Sequence, residues 1–196
     1  MRFAILAWIC FSPSLFAARI VSTSPQVTEL LFQLGRGAEV VGTVEFSDYP
    51  AAAKLVPRIG PLYFPGIEAT IALAPDLVIV DENAILPVYT GALRRLAVPT
   101  LGFNVKRVQS LLEFCQRSEV AETKPPALSQ VERQIQTLSK KRGRPFTYIA
   151  LVWVHPVVGL GSHTFLSDLL ELLGGENLLK SYGSDPFPLV SEEWLV

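Results

Sequence analysis

Two cysteines, two histidines and one methionine are all that 196 residues contain of those types, and neither charge dominates. Seventeen Lys and Arg stand against eighteen Asp and Glu, a formal net charge of −1. Each shortage removes a class of function. A balanced charge gives no electrostatic reason to expect DNA, RNA or an anionic membrane surface as partner. His155 and His163 have no metal-ligand spacing around them, and no Cys-x-x-Cys is present, so no metal site is expected. Neither a Gly-x-Ser-x-Gly nor a glycine-rich phosphate loop after a strand occurs, and no catalytic set is expected. Cys10 lies in the apolar start of the chain, which leaves Cys115 as the cysteine of its body. A lone thiol closes no internal disulfide, so the fold must rest on its core. Cys115 sits among Val108, Leu111, Leu112 and Val120 and reads as a small core residue.

What is present is apolar material in short pieces. Hydrophobic residues make up 49% and charged residues 18%, enough for a packed core and too little charge for disorder. Residues 1–18 have the pattern of an export signal. Arg2 is the positive start, residues 3–11 an apolar run, Pro13 its end, and Ala17 and Ala18 the small residues for cleavage. That run is too short for a transmembrane helix.

From residue 19 the punctuation alternates. Residues 19–23 are a β-branched run, and Ser24-Pro25 then opens helical spacing through Val27, Leu30, Leu31 and Leu34, with Gly35 as the stop. Apolar runs return at residues 40–44 and 77–80, with a helix between them opened by Glu68. A polar turn at 81–83, a helix from Leu86 through Leu96, a strand at 99–103 and a helix from Val105 to about Val120 follow. Strand alternating with helix predicts a parallel sheet flanked by helices. Ala121–Pro126 breaks the chain, and Leu128, Val131, Ile135 and Leu138 then space out one long helix. The basic run of Lys140, Lys141, Arg142 and Arg144 at its end reads as a solvated helix terminus. Residues 146–154 read as one central strand, 159–163 as a loop, and Ser162 as the cap of a helix through Leu166, Leu169, Leu170 and Leu173 that stops at Gly174-Gly175.

The segments SPQVTELLFQLG, FSDYP and GIEATIALAPDLVIV, in that order, resemble the first lobe of cobalamin- and siderophore-type periplasmic substrate-binding proteins of ABC importers. Ser47-Asp48-Tyr49-Pro50 is most similar to the cobalamin-binding members, and GLGSHTFLSDLLELLGGEN and FPLVSEEWLV continue the likeness. The resemblance implies an α/β fold of two lobes joined by a long helix: residues 19–121, an inter-lobe helix at 122–144, and a second lobe at 145–196. In this second lobe Ser191 opens a helix near the last residue, where the family pattern continues with further strands, so an incomplete lobe with an open edge is expected.

The resemblance also implies a periplasmic protein, cleaved near Ala17 or Ala18 and monomeric, that passes a small molecule to the membrane subunits of a transporter. Ligands of doubly wound lobes sit outside the carboxyl ends of strands, and large flat macrocycles gain from aromatic walls. Phe46, Tyr49, Tyr63, Phe64 and Phe187 are loop aromatics at such places and are the candidate ligand contacts. Phe46 and Phe187 match aromatic contact positions of the cobalamin-binding relatives. Arg58 is the one basic residue expected near the cleft, which favours a neutral cobalamin-like ligand over an anionic siderophore or haem. Haem, with Tyr63 or His155 as axial groups, or a ferric siderophore is the alternative ligand, and a truncated fragment without a transport role is the alternative of another class. Glu68 and Glu193, with Glu192 beside it, match the glutamates that dock each lobe on transporter arginines. No cofactor is expected beyond the carried ligand.

Overall fold

A computed structural model describes residues 18–121, 126–140, 143–191 and 193. The expected export signal, apart from Ala18, and Glu192 lie outside these residues. The first half of the chain follows the alternation read from its sequence. Strands β1 (Ile20–Ser22), β2 (Val40–Gly42), β3 (Leu77–Asp81) and β4 (Thr100–Phe103) form one sheet in the order β2-β1-β3-β4. Every pairing in it is parallel. The connections carry α1 (Pro25–Gln33), α2 (Ile67–Ala72) and α3 (Pro87–Arg95), and α4 (Val108–Cys115) follows β4.

Period two along the strands divides the core between the faces of the sheet. Ile20, Ile79 and Leu101 pack with Val27 and Leu31 of α1 and Phe114 of α4. Their neighbours Val21, Val78 and Val80 pack with Tyr89 and Leu93 of α3 on the other side. The central strands are therefore apolar on both faces up to Ser22 of β1 and Asp81 of β3, as a covered sheet requires. The start of α1 is built as its sequence demands. Ser24 Oγ accepts from the Val27 amide at 3.3 Å, Pro25 holds the first position, and Gly35 sits at φ 82° just past the end.

Helix α4 is shorter than the expected 105–120, because Arg107 and Gln116 are its cap residues. Cys115 packs against Leu112 and Leu128, and burial pushes its thiol up to about 11. Helix α5 (Pro126–Lys140) is the long helix, and it touches the core through Leu128 and the partly buried Ile135. Val131 and Leu138, the other members of its expected apolar stripe, are exposed.

Beyond α5 the structure corrects two readings. Residues 146–154 do not form one strand. They divide at Ile149-Ala150 into β5 (Phe146–Tyr148), which pairs with a later strand, and β6 (Leu151–Val154), onto which β7 (Val157–Gly159) folds back antiparallel after a turn at His155-Pro156. Continuous β-branched composition cannot locate such a break. The following helix, α6 (Phe165–Leu172), is capped by Thr164, whose Oγ1 accepts from the Ser167 amide at 3.3 Å, and not by Ser162. Strand β8 (Gly175–Asn177) pairs parallel with β5. All four side chains of β6 are exposed, Trp153 at 63%.

Candidate functional site

All four strands of the first sheet point their carboxyl ends the same way, so the loops after them share one rim. A cleft of about 630 Å³ opens on that rim outside β3 and β4. One wall comes from the first sheet: Asp81 and Asn83 after β3, Phe103 at the end of β4, Val105 and Lys106 after it, Leu111 of α4, and Gln26, Glu29, Leu30 and Gln33 of α1. The other wall comes from beyond α5: His163, Thr164, Phe165, Pro186 and Phe187. The site therefore needs both parts of the chain.

Local interactions place each wall. Asp81 is buried, its amide donates to Thr23 Oγ1 at 2.9 Å, and its carboxylate accepts from the Asn83 amide at 3.0 Å. This turn bends the chain away at the end of β3 and leaves Asn83 on the cleft. Phe103 is braced by Phe114, edge to face at a centroid distance of 5.0 Å. The loop carrying Phe187 hangs on β7 and the residues after it: the Gly159 amide donates to Pro188 O and the Gly161 amide to Pro186 O, each at 2.9 Å. A Cβ at position 161 would stand 2.1 Å from Asp185 O, so glycine is what lets this loop close in. The Phe187 amide is held by Asp185 Oδ1, and its ring is 53% exposed towards the opening.

Of the five expected aromatics, Phe187 lines the cleft and the other four stand elsewhere on the rim. Residues 43–45 run alongside 57–60: the Thr43 amide donates to Pro57 O, the Ile59 amide to Thr43 O, and the Glu45 amide to Gly60 O. This ribbon at the β2 side of the sheet carries Phe46 and Tyr49 on one strand end and Tyr63 and Phe64 on the other. All four rings are exposed, between 58% and 73%. Phe46 has φ 65°, a conformation that costs a β-carbon residue about 1–2 kcal/mol. A chain of buried hydroxyls supports that loop. Thr28 Oγ1 donates to Ser22 Oγ at 3.0 Å and lies 2.6 Å from Thr43 Oγ1, which donates to Ser47 Oγ at 2.8 Å.

The basic residue expected near the cleft is placed differently. Arg58 donates to Ala53 O and Ser47 O and pairs with Asp48, pinning the loop between Ser47 and Arg58. Among the described residues Lys106 is the lysine or arginine of the cleft lining, which also holds Glu29 and Asp81. His163 lines the cleft, whereas Tyr63 and His155 do not. The signal that could have found Asp81, Asn83, Phe103 and Lys106 was available: they follow the third and fourth strands, as Phe46 follows the second. Glu68 is exposed in the first turn of α2, and Glu193 is exposed.

The profile of the periplasmic binding protein family matches residues 20–196. A vitamin B12-binding protein of Vibrio campbellii is 27% identical over 197 residues, covering 92% of this chain and 67% of that protein. One from Yersinia pestis is 27% identical, covering 92% of this chain and 66% of its own length. The chain thus spans about two thirds of the length of these relatives. Among solved structures, the periplasmic vitamin B12 binding protein BtuF of Vibrio cholerae superposes with TM-score 0.77 at 24% identity, over 91% of this chain and 72% of that one. The periplasmic heme-binding protein RhuT of Roseiflexus gives TM-score 0.71 at 26% identity, over 90% and 71%. A profile spanning nearly the whole described chain, and a two-walled cleft on an open parallel sheet, make the chain a member of the periplasmic binding protein family.

Proposed function

We propose that the chain is a periplasmic solute-binding protein that captures cobalamin, or a similar bulky metal chelate, in the cleft and delivers it to an ABC importer. The observation that carries this reading is the character of the cleft. Phe165 and Phe187 present exposed rings from one wall and Leu30 and Val105 partly buried apolar surface from the other, while the described lining holds two acids, Glu29 and Asp81, beside Lys106. A ligand bearing several carboxylates would meet acids at least as numerous as bases, so a neutral macrocycle with amide edges suits the lining better. Gln26, Gln33 and Asn83 are both donors and acceptors for such edges. Haem is the second reading, favoured by the His163 imidazole on the cleft wall. The vitamin B12-binding and heme-binding relatives support one reading each.

Delivery is assigned to Glu68 and Glu193, exposed acids that would meet arginines on the transporter. Glu68 lies in none of the cleft walls. Glu68→Lys places like charges together at the docking surface and leaves the ligand contacts alone. Uptake of labelled cobalamin by cells carrying this variant should fall by about tenfold or more while the affinity of the purified protein stays within about twofold. Unchanged uptake, or lost affinity, would remove Glu68 from the docking role.

A further inference from the structure

Helix α4 begins in an unusual way. Its N-cap is Arg107, whose side chain has no acceptor atom to offer the free amides of the first turn. Ser110 reaches back to Arg107, with the Arg107 amide donating to its Oγ at 3.1 Å, but the Val108 amide is left over. The missing cap arrives from the other side of the molecule. Asp168 of α6, sixty positions along the chain, accepts from the Val108 amide through Oδ2 at 2.8 Å. Its Oδ1 accepts from Arg107 Nε at 3.1 Å. The carboxylate is only 16% exposed, whereas the guanidinium is 74% exposed. A carboxylate at a helix N-terminus is also favoured by the aligned peptide dipoles.

The position of this contact matters more than its strength. Val105 and Lys106, just before Val108, line one cleft wall, and Thr164 and Phe165, one turn before Asp168, line the other. The carboxylate thus joins the two segments that carry the cleft walls.

We propose that Asp168 is a positioning residue: it clasps the part of the chain beyond α5 to the N-terminus of α4 and thereby fixes the width of the cleft. Its effect on ligand affinity rests on the reading of the cleft as the binding site; its effect on geometry does not.

The test combines hydrogen exchange at the Val108 amide, small-angle scattering of the free protein, and titration with cyanocobalamin and with haemin. Asp168→Ala should speed exchange at Val108 by about tenfold or more, raise the radius of gyration, and weaken whichever probe the wild type binds. Asp168→Asn retains an acceptor for the amide and should restore most of the protection. Arg107→Ala removes an exposed cation and should change each reading by less than about twofold. Val108 exchange at the wild-type rate in Asp168→Ala would show that there is no clasp. Faster exchange with an unchanged radius of gyration would show that the contact does not set the cleft width. Both would overturn the proposal. A wild type that binds neither probe would instead defeat the ligand reading, while exchange and scattering would still decide the clasp.

Discussion

Phe187 and Phe46 show how two residues of the same type and the same expected role can be placed differently. Both are exposed aromatics in loops at the carboxyl-end rim, yet only Phe187 stands on the cleft, because the loop from Asp185 to Pro188 is carried across to it by β7 and Gly161. Replacing Phe187 by alanine removes a wall of the proposed site without touching the core. Affinity for cyanocobalamin should fall by about 1–3 kcal/mol, roughly 5- to 150-fold, measured by calorimetry. A variant within about twofold of wild type would take Phe187 out of the contact set. Arg58 carries the opposite lesson. A basic residue in a loop invites a ligand role, but its guanidinium is occupied by the carbonyls of its own loop.

At the scale of elements, the legible parts were those where local chemistry and tertiary packing agree. Ser24, Pro25 and Gly35 bound α1 by rules that act within a few residues, and the β-branched runs at β1 and β3 are buried on both faces. The split of residues 146–154 into two strands was not legible, since β5 and β6 part at Ile149-Ala150 to pair with β8 and β7, partners that composition does not announce. The cap of α4 was not legible either, because its carboxylate comes from α6. The cleft was half legible: the carboxyl-end rule located its rim, but choosing β3 and β4 over β2 required the position of the far wall. The hydroxyl chain from Ser22 to Ser47 was likewise invisible until strand order brought its members together. Thr43→Val keeps the shape and removes the central hydroxyl, leaving Thr28 with Ser22 and Ser24 and taking from Ser47 the hydroxyl that donates to it. Urea unfolding should show a loss of about 1–3 kcal/mol. A loss below about 0.5 kcal/mol would mean that the remaining hydroxyls satisfy each other.

For the molecule as a whole, the central claim is that two walls on opposite sides of α5 make one site for a bulky, uncharged chelate. The first wall stands on an open parallel sheet covered on both faces. The second stands on two strand pairs, one of which exposes every side chain of β6, and it is joined to the first through Asp168. Binding therefore asks whether the less covered part holds its wall in place. Titrating the purified protein with cyanocobalamin in a calorimeter, with haemin followed by its Soret band as the comparison, tests this directly. The account predicts saturable binding of cyanocobalamin at one site per chain, with haemin bound more weakly. Preferential binding of haemin with a shifted Soret band would move the assignment to the His163 reading, and a protein that takes up neither ligand would contradict the account.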